Sequence, residues 1–302
     1  MNGIEAVSSS RVQDFRKWAR EKFPRIHRAK RALAGRPLIL LDYPVDPKPR
    51  YGFGKPPHPE LYQLLNTQRG GYMELVQSFA RFAPDLLRIP RQGTESEIGW
   101  LMRMLPPLDA ATLYCMLRSY DPSIYFEVGS GFSTRVAHRA ITDGKLRTRI
   151  ISLDPLPQTD VDRMCDEVIR QPLENTDLSW TERLNSGDFL FIDNSHCCFP
   201  NSDVTVFFLE VLPRLQPGVI VHIHDIALPY DYAPEWKERF YSEQYLLACC
   251  LLNGPERFRI LLPNNFISMD EELSAAWDWL WGKDLLQGVP RRGMSFWFIR
   301  IC

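Results

Sequence analysis

The sequence has no CxxC pair, no apolar run near the roughly 18 residues that span a bilayer, no internal repeat, no low-complexity tract and almost no net charge. Its seven cysteines, at 115, 165, 197, 198, 249, 250 and 302, are odd in number, which argues against a zinc ribbon or a disulfide framework. They read as reduced thiols, mostly core filler, in a cytoplasmic protein. A formal charge of −1 gives no global field to draw in nucleic acid. Met1 to Arg11 is polar and Ser-rich, without the apolar centre of a signal peptide. The expectation is a cytoplasmic chain with no membrane span and no nucleic-acid partner.

What is present is a globular composition, 45% hydrophobic and 24% charged over 302 residues, with the charge unevenly spread. Residues 1–36 hold ten Lys and Arg against three Asp and Glu, with Phe15, Trp18, Phe23 and Ile26 interspersed. This predicts a basic helix. Its simplest reading is a solvated helix packed by its few apolar residues, and the alternative is a surface for anionic lipid or another polyanion. Residues 42–59 hold six prolines and two glycines and predict an irregular segment, with Tyr51, Phe53 and His58 candidates to pack over a pocket. From 59 to about 120 apolar residues recur at helical steps, and Asp109 is placed to cap or charge the start of the last of these helices.

From 123 the texture becomes short apolar runs separated by amphipathic stretches. The runs lie at 123–129, 148–154, 166–171, 188–193 and 218–225, with two more strand-like segments at 257–263 and 294–301. Near-continuously apolar strands alternating with helices predict a parallel sheet covered on both faces. The fold class is therefore α/β, doubly wound and Rossmann-like. The expected division is an N-terminal helical and irregular cap over 1–107 and an α/β domain over 108–302.

The first strand ends in Phe126-Glu127-Val128-Gly129-Ser130-Gly131-Phe132-Ser133-Thr134. Glycines at 129 and 131 permit a tight turn and close backbone approach to a ligand, and Ser133 and Thr134 open a helix whose free N–H groups face the same cleft. A dinucleotide fold would want a third glycine where Thr134 stands, and Glu127 would repel a pyrophosphate but suit a cationic amino acid. Asp154 ends the second strand, 23 residues after Gly131, where a carboxylate can accept both hydroxyls of a ribose. A turn-forming Asp before Pro155 is the plainer alternative. Residues 171–175, after the third strand, are expected beside an adenine.

With this motif and strand order, residues 108–302 resemble the class I S-adenosylmethionine (SAM)-dependent methyltransferases. The runs FIDNSH, SDVTVFFLEVLPRLQPGVIVHIHDI and LPYDYAPEW resemble a bacterial group within them, associated with secondary metabolites and surface glycans. The resemblance implies a seven-stranded sheet with an antiparallel last strand and SAM as methyl donor. It implies a donor site of Glu127, Gly129, Ser130, Gly131, Ser133, Asp154 and Asp193. It also implies a small-molecule or glycan acceptor, with methylation of a hydroxyl oxygen the leading expectation and natural-product biosynthesis the setting. An NAD-linked oxidoreductase and a non-catalytic binding protein on the same scaffold are the rivals, and homo-oligomerisation is left open.

The acceptor side should be built from the ends of strands four and five, Asp193-Asn194-Ser195-His196 and His222-Ile223-His224-Asp225. Alternation places His222 and His224 on one face and Asp225 on the other, with His222 a core residue. Two mechanisms fit. In one, Asp193, His224 and Asp225 hold a divalent metal that activates the acceptor. Small-molecule O-methyltransferases place an Asp after strand four and an Asp-Asn or Asp-Asp pair after strand five, and here His224 stands first in that pair. In the other, His196 or His224 acts as general base, with Asp193 and Asp225 beside it. Tyr230, Tyr232 and Trp236 are expected to wall the acceptor pocket, while Glu243 and Gln244 could face either that pocket or solvent.

Overall fold

The computed structural model describes residues 45–301, apart from 95, 96, 103, 158 and 159. The basic helix expected over 1–36 lies outside the described residues. Residues 45–58 contain no helix or strand, only an isolated bridge between Gly52 and Lys55, as their prolines dictate.

Helices α1 (Pro59–Asn66) and α2 (Arg69–Ser78) come next, then a tight turn and a single helical turn over 79–86. Helix α3 (Pro107–Tyr120) has a proline in its first turn and is buried continuously from Pro107 to Leu117. A helix that is covered all round needs partners on every side. Here α3 is packed against both α4 (Phe132–Gly144) and the turn at Phe79–Phe82.

The seven expected strands are all present: β1 (Ile124–Val128), β2 (Arg149–Leu153), β3 (Glu167–Ile169), β4 (Phe189–Ile192), β5 (Ile220–Ile223), β6 (Phe258–Pro263) and β7 (Phe296–Arg300). They form one sheet in the order β3-β2-β1-β4-β5-β7-β6. The first five are parallel, and β7 runs antiparallel between β5 and β6. Strands β1 and β4 are adjacent in the sheet but far apart in sequence. The chain first winds outward through β2 and β3 and then returns, so a crevice opens at the carboxyl ends of β1 and β4.

Two amphipathic stretches take forms other than one continuous helix. Residues 177–187 give only a short 3-10 turn at Ser179–Arg183. The stretch 236–252 is broken at Phe240, whose φ of 55° ends a 3-10 turn (Pro234–Arg239), so the helix proper, α6, is Glu243–Asn253. Between them in the chain, α5 (Asp203–Val206) runs on through a π turn to Arg214, with Ser202 capping its start.

Asp109 sits in the first turn of α3, as expected, but it is fully buried. Its carboxylate accepts hydrogen bonds from the Met294 amide (2.7 Å), the Ser295 amide (2.9 Å) and Asn264 Nδ2 (2.8 Å). The residue is therefore a tie from α3 to the segment entering β7. Asp109→Ala would strand these donors without water, and it should lower unfolding stability by roughly 3 kcal/mol or more. A denaturant midpoint equal to that of the wild type would contradict this role.

Candidate active site

At the crevice the backbone turns from β1 into α4 through Gly129, with φ +84°. A Cβ there would stand 1.9 Å from the Asp193 carbonyl oxygen, so only glycine lets the turn lie against the end of β4. Ser130 follows, donating its amide (2.8 Å) and hydroxyl (3.3 Å) to Asp154 Oδ2, while Leu156 N donates to Oδ1 at 2.7 Å. Asp154 thus makes the local turn of the plainer alternative and also braces the glycine turn, and it still lines the crevice.

The crevice is a cavity of about 560 Å³. One wall carries Gly129, Ser130 and Asp154, a second Pro172, Leu173 and Glu174, and a third Asp193, His196, His224 and Asp225. The stretch expected beside an adenine and both strand ends expected on the acceptor side are therefore brought to one space. A smaller cavity of about 260 Å³ shares Met104, Ser130 and Asp193 with it and adds Gly131 and Ser133.

Glu127 is placed differently from the sequence expectation. It is fully buried behind the turn and lines neither cavity. Its carboxyl group accepts from Ser133 Oγ (3.1 Å), from Tyr125 Oη (3.2 Å) and, in a very short contact, from Thr134 Oγ1. Thr134 Oγ1 in turn accepts from the Gly131 amide at 2.9 Å. Glu127 therefore shapes the start of α4 from below. Burial lifts its pKa from 4.5 to about 8, against the opposing pull of Thr134, Ser133 and Tyr125.

The acid and imidazole groups form a chain of contacts across the strand ends. Glu243 Oε2 is 3.0 Å from His196 Nδ1, and His196 Nε2 is 3.2 Å from Asp193 Oδ1 and 3.7 Å from Asp225 Oδ2. His224 Nδ1 is 3.5 Å from Asp193 Oδ1 and 3.6 Å from Asp225 Oδ1, and its Nε2 is 3.5 Å from Asp109 Oδ2. Strand alternation does not hold at Asp225: β5 ends at Ile223, and a φ of 54° folds Asp225 back toward both histidines. His222 is a core residue as expected, stacked on Trp297 at 3.9 Å and bonded through Nε2 to Ser295 Oγ at 2.6 Å. Burial, with His224 beside it, keeps that ring neutral.

Burial disfavours charge on His196, but Asp193 and Glu243 outweigh it and lift its pKa to about 10. His224 is raised in the same way, chiefly by Asp225 and Asp193 against its burial. Asp193 is held well below the ordinary carboxylate range, because His224 and His196 overcome the cost of its desolvation.

This arrangement does not fit the divalent metal of the first of the two mechanisms. Asp193, His224 and Asp225 do come together, but both nitrogens of His224 have carboxylate oxygens 3.5 to 3.6 Å away, and Asp225 and Asp193 favour its protonated form. A metal ligand must instead offer a bare nitrogen lone pair. Among the described residues, no group of three or more His, Cys, Asp or Glu is disposed to hold a metal ion.

Two contributions were not legible in the sequence. Glu243 and Gln244, for which either orientation was open, are both fully buried. The amides of Ser242 and Glu243 donate to the His196 carbonyl (2.8 and 3.2 Å), and Gln244 binds the Ala227 amide (2.9 Å) and the Tyr230 carbonyl (3.2 Å). The start of α6 thus fastens the loops after β4 and β5 together. Tyr241 and Arg239 also line the larger cavity, with the Tyr241 ring 4.6 Å from that of His196. Of the three aromatics expected around an acceptor, Tyr232 and Trp236 line a separate cavity of about 500 Å³. Tyr230 lines neither cavity and packs under Gly52.

Residues 126–226 match the family model of a methyltransferase domain. No curated protein sequence matches the chain. Several solved structures are similar in part. The MycE methyltransferase of the mycinamycin biosynthetic pathway, in complex with Mg, SAH and mycinamycin VI, is 16% identical with TM-score 0.38, over 59% of this chain and 48% of that one. The plantazolicin methyltransferase BpumL, in complex with SAH, is 13% identical with TM-score 0.38, over 80% of this chain and all of that one. The SAH-bound methyltransferase PaMTH1 of Podospora anserina is 15% identical with TM-score 0.37, over 70% of this chain and 95% of that one. The chain spans about half the length of the MycE chain it matches.

Glu127 has a measurable consequence. Its folded carboxyl keeps a proton to about pH 8, whereas the free side chain loses it near 4.5. The stability this contributes is full below pH 4.5 and is lost as pH rises through about 8. Glu127→Gln should therefore flatten the fall in Tm across that window, and parallel Tm profiles for the two proteins would refute it. The glycine turn, the strand order and the segment 126–226 that matches the methyltransferase-domain model are all centred on the same crevice.

Proposed function

We propose that this chain moves a methyl group from SAM to a hydroxyl oxygen of a small molecule or glycan, without a metal, using His196 as general base. The observation that carries this reading is the single cavity shared by the glycine turn, Asp154 and the His196 cluster. In this reading one wall binds the donor and another takes the proton: Asp154 faces the ribose, Pro172–Glu174 the adenine, and the smaller cavity beside Gly131 and Ser133 takes the amino-acid end. The described residues between 47 and 107 act as a cap, since Met104 and Leu105 line the donor side and Pro47–Tyr51 the aromatic cavity.

Bound SAM supplies an electrophilic methyl on a sulfonium that becomes a neutral thioether once the methyl has left. The protein has to align the acceptor and take its proton. In its neutral form His196 is held by Glu243 at Nδ1, and Nε2, beside Asp193 and Asp225, receives the acceptor's proton as the new O–CH3 bond forms. Asp193 and Asp225 then stabilise the imidazolium that results.

S-adenosylhomocysteine should bind the full chain in calorimetric titration. Asp154→Ala should weaken that binding about tenfold or more through loss of the ribose contacts and of the brace on Ser130. Unchanged binding in this variant would remove Asp154 from the donor site.

Methyl transfer to a panel of hydroxylated compounds tests the base. With His196 protonated up to about pH 10, turnover should rise about tenfold per pH unit between pH 7 and 9. His196→Ala should lower turnover by ~10²- to 10⁴-fold with S-adenosylhomocysteine affinity preserved. Glu243→Gln should move the rise to lower pH, because it removes a group that lifts the imidazole pKa. A flat pH profile in the wild type, or activity abolished by a chelator and restored by a divalent cation, would replace this mechanism.

A further inference from the structure

The proposed mechanism leaves one buried acid unused. Glu127 is fully buried, yet its carboxyl oxygens take three hydroxyls, from Tyr125, Ser133 and Thr134. A carboxylate can accept all three, whereas a carboxylic acid must donate a proton of its own and turn one of those hydroxyls away. The hydrogen bonds therefore suit the ionised form. Burial works against it and holds the proton on to about pH 8.

The groups around Glu127 leave it poised between these two demands. On β1 the Tyr125 phenol is neutral, and ahead of β3 the Cys165 thiol, pushed up to about 12, is neutral too. Asp193, at the end of β4, adds a negative charge that favours the protonated acid. On α4, Arg135 lies over the Phe132 ring at 5.5 Å. The register partners on β2 and β4 are Ser152 and Phe191, which carry no charge.

Ser133 joins this acid to the donor side. It donates to Glu127 at 3.1 Å and also lines the smaller cavity, with Gly131 and Asp193. Among the described residues lining that cavity, Asp193 is the charged one, and it is held ionised by the two histidines. Such a lining draws in the ammonium of an amino-acid chain rather than its carboxylate. With the Ser133 proton directed at Glu127, the hydroxyl's lone pairs are left for that ammonium. A cation in this place also favours negative charge on the acid behind the hydroxyl.

We infer that Glu127 is a positioning residue acting through Ser133: seating the amino-acid end of the donor in the smaller cavity expels the Glu127 proton to solvent, so that donor binding is coupled to proton release. The inference rests on the donor reading and adds its regulation by pH.

Calorimetric titration of the full chain with S-adenosylhomocysteine, in buffers of differing ionisation enthalpy, counts the protons released per molecule bound. With the acid neutral up to about pH 8 in the free chain and only to about pH 7 or below in the complex, the wild type should release about 0.4 proton or more at pH 7. Its affinity should then be at least about fivefold higher at pH 8 than at pH 6. The analogue 5′-methylthioadenosine, which keeps the adenosine and lacks the amino-acid end, should bind without that release. Glu127→Gln, which keeps the shape of the neutral acid, should bind S-adenosylhomocysteine with no release and with an affinity that is flat over the same range. No release from the wild type, an undiminished release from Glu127→Gln, or an equal release with 5′-methylthioadenosine would overturn the inference. The comparison of the two ligands uses the wild type alone, so it decides the question even where the variant fails to fold. Failure of S-adenosylhomocysteine to bind the wild type at any of these pH values would overturn the donor reading instead.

Discussion

At Gly129 the turn out of β1 lies so close to the carbonyl of Asp193 that any side chain atom would collide with it. Much of the site follows from this contact. It brings the ends of β1 and β4 together at the point where the sheet reverses its winding, so the backbone amides opening α4 and the side chains after β4 face one space. Asp154 reaches across from β2 to hold Ser130, and Glu127 holds Ser133 and Thr134 from beneath. The turn is thereby braced on two sides, with little freedom left to close over an empty crevice.

The second organising feature is electrostatic. Four carboxylates, Asp109, Asp193, Asp225 and Glu243, meet two imidazoles in a region largely shut off from water. Single charges in such a place would cost several kcal/mol each, and they persist because every imidazole nitrogen faces an acid. The members come from α3, the ends of β4 and β5, and α6, so the cluster also joins four elements of the fold. The left-handed backbone at His196 and Asp225 has its physical account here: both turns bring side chains into the cluster that an extended chain would have sent elsewhere. A raised imidazole pKa is the natural outcome of this packing, and it makes His196 a strong base that is seldom in its basic form at neutral pH.

The same helix that completes the charge cluster also shapes the neighbouring aromatic cavity. Ser242 and Glu243 hold His196, while Tyr245, one turn later, meets Asp231 and lines that cavity. Tyr241 lies between the two, lining both cavities.

The sequence by itself determined the seven strands, their α/β class, the glycine turn at 129–131, and the set of polar strand ends from which the site is made. These are legible because strand burial, turn chemistry and helix N-termini depend on residues near one another in the chain. Only the tertiary structure decided that Glu127 supports the turn from behind, that Asp225 folds back to the histidines, that Asp109 ties α3 to β7, and that Glu243 points inward at His196. Each of those outcomes depends on a partner 6 to more than 180 residues away. Local pattern carries no record of such distant packing, so a buried carboxylate opposite an imidazole reads in sequence like any acid at the start of a helix.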